Sequence, residues 1–250
     1  MKAWLISSLL LFIEVKNEKN IILIHGAGVG GWVFRDIEKI LKLYGNNVYC
    51  PNLSGIGDRK KMLENKINLT TYAKEIEHLI LENNLDNVYL IGHSFGGAVV
   101  AAVVELIPER IKYQIYIDSF FLENDESILT LFGEKREYEL DKICKDEGEG
   151  KYLPRRLFGK EHPLIKDMPF NPYKEKVKFK GSGKKIPGAY IECLDSTGFE
   201  HLEKPKKIMR RRVEKRKWKY ITLDSDHVPM TKSPAREKLI EILIELIKDS

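Results

Sequence analysis

The sequence predicts an α/β fold, a mainly parallel sheet flanked by helices and interrupted by one inserted segment. Three observations carry that expectation. Apolar runs at 21–24, 88–91, 114–117, 189–194 and 220–223 alternate with longer stretches of helical periodicity, as strands buried on both faces and linked by crossover helices require. Glycine-rich turns follow the first two runs, at Gly26 to Gly31 and Gly92 to Gly97. The rhythm fails only between Ser119 and Gly188, where prolines and glycines punctuate a charged stretch too long for a bare loop.

Composition suits a soluble globular chain. Its 250 residues, 43% hydrophobic and 32% charged, can bury one sizeable core. The formal charge of +5 is local: ten Lys/Arg against one acid lie between Lys204 and Lys219, which leaves the rest at −4. Such a run can bind phosphates or an anionic membrane. A solvated helix face anchored by Ile208, Met209 and Val213 explains it better, so no nucleic acid partner is expected. Cys50, Cys144 and Cys193 are too few and too far apart for a disulfide framework or a zinc site.

In chain order, residues 1–20 form an apolar extension. Lys2 precedes the run Ala3 to Ile13, which has the charge and length of a signal-peptide core but no small-residue cleavage site after it. An edge strand or a membrane-contacting anchor is the alternative, and a cytoplasmic location is favoured over a secreted one. The core is expected over 21–118 and 189–250, with an inserted cap over 119–188. Ile21 to Ile24 makes the first strand, and a helix runs from Trp32 to about Tyr44. The glycines between them could cradle a phosphate, but they are out of register for a dinucleotide loop, and neither Gly-Lys-Ser/Thr nor a closing acid follows. The alternative is a backbone N–H at Ala27, beside Gly26, that forms half of an oxyanion hole. His25, at a strand end, is read as ordering this loop rather than as a base. Gly55-Ile-Gly57-Asp58-Arg59 is loop chemistry, and Thr70 to Leu81 carries one apolar helical face.

Gly92-His93-Ser94-Phe95-Gly96, between a β-branched run and an Ala/Val-rich helix, fits G-x-S-x-G, in which the serine sits on a sharp strand-to-helix turn. Ser94 is the candidate nucleophile, with the Phe95 N–H as the second oxyanion donor; the alternative is a glycine turn with an incidental serine. Asp195 ends the strand Ala189 to Leu194, where a triad acid is expected. Asp118, ending the strand before it, is the reserve. His227 follows the last strand and precedes a helix capped by Ser233 with Pro234 at its first position, and so holds third rank in the order Ser, acid, His.

With those pieces in place, the chain resembles the α/β-hydrolase superfamily, and within it the small esterases related to plant methylesterases of the salicylate-binding type and to hydroxynitrile lyases. The resemblance lies in His25-Gly-Ala-Gly-Val-Gly-Gly-Trp32, Gly92-His-Ser-Phe-Gly-Gly97, Tyr116-Ile-Asp-Ser-Phe120, His162-Pro163, Ile186-Pro-Gly-Ala-Tyr-Ile191 and Asp226-His-Val-Pro-Met230. It implies Ser94 as nucleophile, His227 as base, Ala27 and Phe95 as oxyanion donors, a small ester as substrate, and no metal or cofactor. It places the acid where this chain has Ser196, one residue beyond Asp195. The lyases resemble a pattern with Thr at the position of Gly26 and Lys at that of Val228, and both departures favour an esterase. A non-catalytic ligand-binding module on the same fold is the third reading.

Overall fold

The computed structural model describes residues 18–56, 67–159 and 162–250. The apolar run 3–13 and the loop residues Gly57, Asp58 and Arg59 lie outside them. Among the described residues one parallel sheet of six strands dominates, in the order β2-β1-β3-β4-β7-β8. Its strands are β1 (Asn20–Ile24), β2 (Asn47–Tyr49), β3 (Val88–His93), β4 (Ile111–Ile117), β7 (Gly188–Cys193) and β8 (Lys219–Leu223).

Alternation within the apolar runs fills both faces of this sheet. Ile22, Ile24, Val88 and Leu90 point to one face, against α2 (Leu69–Glu82) and α3 (Gly96–Leu106). Their neighbours Ile21, Leu23, Tyr89 and Ile91 point to the other, against α1 (Arg35–Leu43) and α8 (Ala235–Lys248). Successive side chains of a strand leave on opposite sides, so a strand covered twice reads as an unbroken apolar run. At the outer edge, β8 is mostly exposed and stacks Tyr220 on Tyr190.

The helix expected from Trp32 opens instead with a 3-10 turn, Gly31–Phe34, because Asn52 Oδ1 takes the Gly31 N–H at 2.8 Å. At the other end of the chain, α8 starts one residue late: Pro234 occupies the N-cap, where no side chain caps the helix, and Ser233 lies one residue outside. Between β4 and β7 stand α4 (Ile128–Phe132), α5 (Glu134–Glu147), the antiparallel pair β5 (Tyr152–Leu153) and β6 (Met168–Pro169), and α6 (Asn171–Lys174). A Ser127/Thr130 capping box starts α4.

The basic run forms α7 (Glu203–Arg216) and the start of β8. Met209 and Val213 are buried as expected, but the helix face is not simply solvated. Lys206 is 3% exposed, Arg210 pairs with Glu192, Arg212 with Glu126 and Arg216 with Glu123. Trp218 sits in the core beside Tyr116 and Phe121. No helix among the described residues is long and apolar enough to cross a membrane.

Candidate active site

Sheet register brings the chemistry together. Ile24 lies opposite Gly92, His93 opposite Ile117, Ile117 opposite Ile191 and Cys193 opposite Leu223. The loops that carry Gly26, Ser94, Asp118 and His227 therefore leave the same edge of the sheet. Chain order reverses between β1 and β3, and the crevice outside the carboxyl ends at such a reversal is where open α/β sheets place ligands.

Ser94 occupies the turn from β3 into α3 with φ +52°, a left-handed conformation that costs a non-glycine residue about 1 kcal/mol or more. The surrounding glycines make the turn sterically feasible. A Cβ on Gly92 would stand 2.7 Å from the Gly96 backbone, one on Gly96 2.4 Å from Ile24 O, and one on Gly97 1.9 Å from Ser119 Oγ. Hydrogen bonds fix the rest: Ser94 N–H donates to Ile117 O at 3.1 Å, and Ser119 Oγ–H donates to Ser94 O at 2.5 Å.

His227 Nε2 lies 2.9 Å from Ser94 Oγ, and its Nδ1 lies 2.7 Å from Asp118 Oδ2. With Nδ1–H donating to the carboxylate, Nε2 is free to accept the serine proton. The imidazole is backed by Phe199 at 4.4 Å and His93 at 4.8 Å between ring centroids. His93 Nε2–H also donates to His227 O at 2.7 Å, tying the G-x-S-x-G turn to the histidine loop.

Asp195 is not the partner of His227. Its carboxylate is exposed and accepts the Thr197 N–H at 2.9 Å, its pKa lowered by hydrogen bonds from the Thr197 side chain and backbone, while its own N–H donates to Ser225 O. The strand ahead of it stops at Cys193, so the chain turns outward before Asp195 can face the site. Asp118, the reserve, takes that place. It is 2% exposed and has φ +39°. Its Oδ1 accepts the Cys193 N–H at 3.1 Å and meets Lys206 Nζ at 3.0 Å. Burial pushes its carboxyl upward, but the hydrogen bond and charge of His227, with those of Lys206, outweigh it and hold Asp118 below the usual range. Sequence reasoning did not find Lys206, which carries no signal apart from its basic neighbours.

His25 orders the first loop. Its Nδ1–H donates to Gly26 O at 2.8 Å, and its Nε2 accepts the Leu53 N–H at 3.2 Å. Burial brings its pKa down to about 4, so it is neutral at pH 7. Gly26 lies against Ser94: a Cβ there would meet His93 Nδ1 at 3.0 Å and Ser94 Cβ at 3.2 Å. Among the described residues, the N–H groups of Ala27 and Phe95 have no hydrogen-bond acceptor.

A cavity of about 380 Å³ opens onto Ser94 and His227, with Phe120, Phe132, Leu153, Phe158, Tyr173 and Phe199 in its wall. Phe158 packs on Gly28, Lys166 N–H donates to Gly28 O at 2.8 Å, and His162 stacks on Trp32 at 4.3 Å. The segment between β4 and β7 thus closes over the glycine loop. His201, also in the wall, is lowered to about 4 by burial and by the Arg136 charge. Among the described residues no group of His, Cys, Asp and Glu could hold a metal ion.

The family model of the α/β-hydrolase fold matches residues 19–138. A carbendazim-hydrolysing esterase of Nocardioides sp. (strain SG-4G) is 35% identical over 112 residues, 45% of this chain and 46% of that protein. Putative methylesterase 15 of Arabidopsis thaliana, chloroplastic, is 28% identical over 188 residues, 72% of this chain and 42% of that protein. Each match spans less than half the relative's length. A solved extracellular α/β-hydrolase from a Paenibacillus species superposes with a TM-score of 0.73 at 20% identity, over 91% of this chain and 98% of that one. The chain has the α/β-hydrolase fold. Within that fold its sequence is similar to methylesterases and to a carbendazim-hydrolysing esterase.

Proposed function

We propose that this chain hydrolyses small carboxylic esters through Ser94, His227 and Asp118 and an acyl-enzyme. The observation that carries the reading is the unbroken hydrogen-bonded line from Ser94 Oγ through the imidazole to Asp118 Oδ2. His227 removes the Ser94 proton as Oγ attacks the ester carbonyl. It then gives that proton to the leaving alkoxide, and the alcohol departs from the acyl-enzyme. Water, deprotonated by the same nitrogen, releases the acid and restores the serine. Asp118 holds the ring in the Nδ1–H tautomer and stabilises the imidazolium as it forms.

The Ala27 and Phe95 N–H groups are the oxyanion donors in this reading, supported by the contact of Gly26 with Ser94 and by the absence, among the described residues, of another acceptor for either group. One such donor contributes on the order of 3 kcal/mol to the barrier. The apolar wall suits an ester with a bulky hydrophobic or aromatic acyl group, and the methylesterase relatives suggest a small alcohol. Threonine in place of Gly26, as in the lyase pattern, would press on His93 and Ser94. The connected Ser–His–Asp line speaks against a purely ligand-binding module.

A fluorophosphonate probe should label Ser94, and Ser94→Ala or His227→Ala should cut hydrolysis of a short p-nitrophenyl ester by at least about a thousandfold. Undiminished turnover by Ser94→Ala would overturn the proposal.

A further inference from the structure

A buried ammonium lies behind the acid of this site. Lys206, from the first turn of α7, is 3% exposed, and its three N–H bonds have three acceptors: Asp118 Oδ1 at 3.0 Å, Cys193 O at 2.7 Å and Ser196 Oγ at 3.0 Å. Ser196 in turn donates to Glu203 Oε1 at 2.5 Å. A lysine this far from water is rare unless paired, and burying an ion pair is a poor route to stability, since apolar side chains of similar volume do as well or better. The geometry offers another reason. The two Asp118 oxygens are divided, Oδ2 to His227 and Oδ1 to Lys206 and the Cys193 N–H. Ser196 stands where the resemblance places the acid, and here its hydroxyl helps hold the lysine.

We propose that Lys206 is the positioning residue of this site, fixing the ionised Asp118 carboxylate at the end of β4 in the orientation that His227 needs. Lys206 touches no substrate and acts only through Asp118, so the proposal rests on the esterase reading of Ser94, His227 and Asp118. The carboxylate has come from a different strand end than the resemblance implies. Beside the direct bond from the Cys193 N–H, Lys206 ties it to the end of β7 and the residues that follow, through Cys193 O and Ser196 Oγ.

The electrostatic consequence has a definite sign. Loss of a cation 3.0 Å from Asp118 makes the Asp118–His227 pair easier to protonate, whichever member takes the proton. Catalysis needs that pair unprotonated, so the acid limb of the kcat/KM profile moves to higher pH. The other titratable groups around it stay in place: His93 from β3, Tyr190, Glu192 and Cys193 from β7, Asp195 and His201 from the segment that follows, Glu203 from α7, and Asp226 beside His227.

The test compares Lys206→Met, Lys206→Arg, Asp118→Asn and the Asp118→Asn/Lys206→Met pair on a p-nitrophenyl ester across pH, with Ser94→Ala as reference. Lys206→Met should move the acid limb up by about one pH unit and lower kcat/KM near neutrality about tenfold. Lys206→Arg, which keeps the charge, should leave the limb near its original pH. In the Asp118→Asn background the methionine should change kcat/KM by less than about twofold, because the residue it acts through is gone. An unmoved limb in Lys206→Met overturns the proposal, as does an equal loss in both backgrounds. If Lys206→Met does not fold, the neutral pair against Asp118→Asn decides alone. Full activity in Ser94→Ala would fail the esterase reading itself, whereas an inactive Ser94→Ala with an unmoved limb fails only Lys206.

Discussion

Ser94 shows how few residues define the turn from β3 into α3 and how little latitude they leave. Its positive φ is sustained by glycines at 92, 96 and 97 that lie against backbone or Ser119. Gly97→Ala should therefore destabilise the fold by about 1–3 kcal/mol and also lower kcat, since Ser119 Oγ, which the new methyl would displace, holds Ser94 O. Chemical denaturation with a p-nitrophenyl ester assay would check both; an alanine variant of unchanged stability would show that the contact yields freely. At this scale the sequence was readable where a residue type is dictated by local geometry. Ser94 lay in a motif whose glycines have steric reasons, and His227 had a rank in the chain. Asp118 and Asp195 both end buried strands, and no periodicity tells which carboxylate turns toward the imidazole. That choice depends on the positive φ at Asp118 and on where β7 stops.

The strands were legible as elements because each apolar run is covered on two faces, and β1, β3, β4, β7 and β8 lie within a few residues of where the runs place them. The helix starts were less so. A glycine loop and a Ser-Pro pair set the entries to α1 and α8, and both differ from the simple capping pattern because Asn52 and Pro234 take over the first turn. The charge of the α7 run hides its buried side. Arg210, Arg212 and Arg216 each face a carboxylate across the sheet edge or the inserted segment, and Arg216 also lies over the Phe121 and Trp218 rings. The segment between β4 and β7 stands out in the sequence by its break in rhythm, but its packing is not readable there. Its two strands are two residues each, and its aromatic side chains face a cavity that exists only once the core is assembled.

Across the whole molecule, buried histidines link the site to stability. Burial lowers His25 to about 4, against the bond to Gly26 O; burial and the neighbouring His227 lower His93 to about 3. In the unfolded chain both take up a proton near 6.5. Between that pH and about 4 the unfolded state binds more protons, so stability is full above 6.5 and falls as the medium is acidified. Each histidine contributes a slope of up to about 1.4 kcal/mol per pH unit. Urea denaturation should give a free energy about 2–4 kcal/mol lower at pH 5 than at pH 7, and equal values would mean that the two rings are solvated in the folded chain. The account as a whole depends on which carboxylate supports His227. The most direct measurement is kcat for a p-nitrophenyl ester in Asp118→Asn beside Asp195→Asn. Asp118→Asn should lose on the order of 10⁴-fold, as a triad whose histidine is held in the wrong tautomer does, while Asp195→Asn stays within about twofold, as expected of an exposed turn residue. Full activity in Asp118→Asn, with the loss appearing instead in Asp195→Asn, would contradict it.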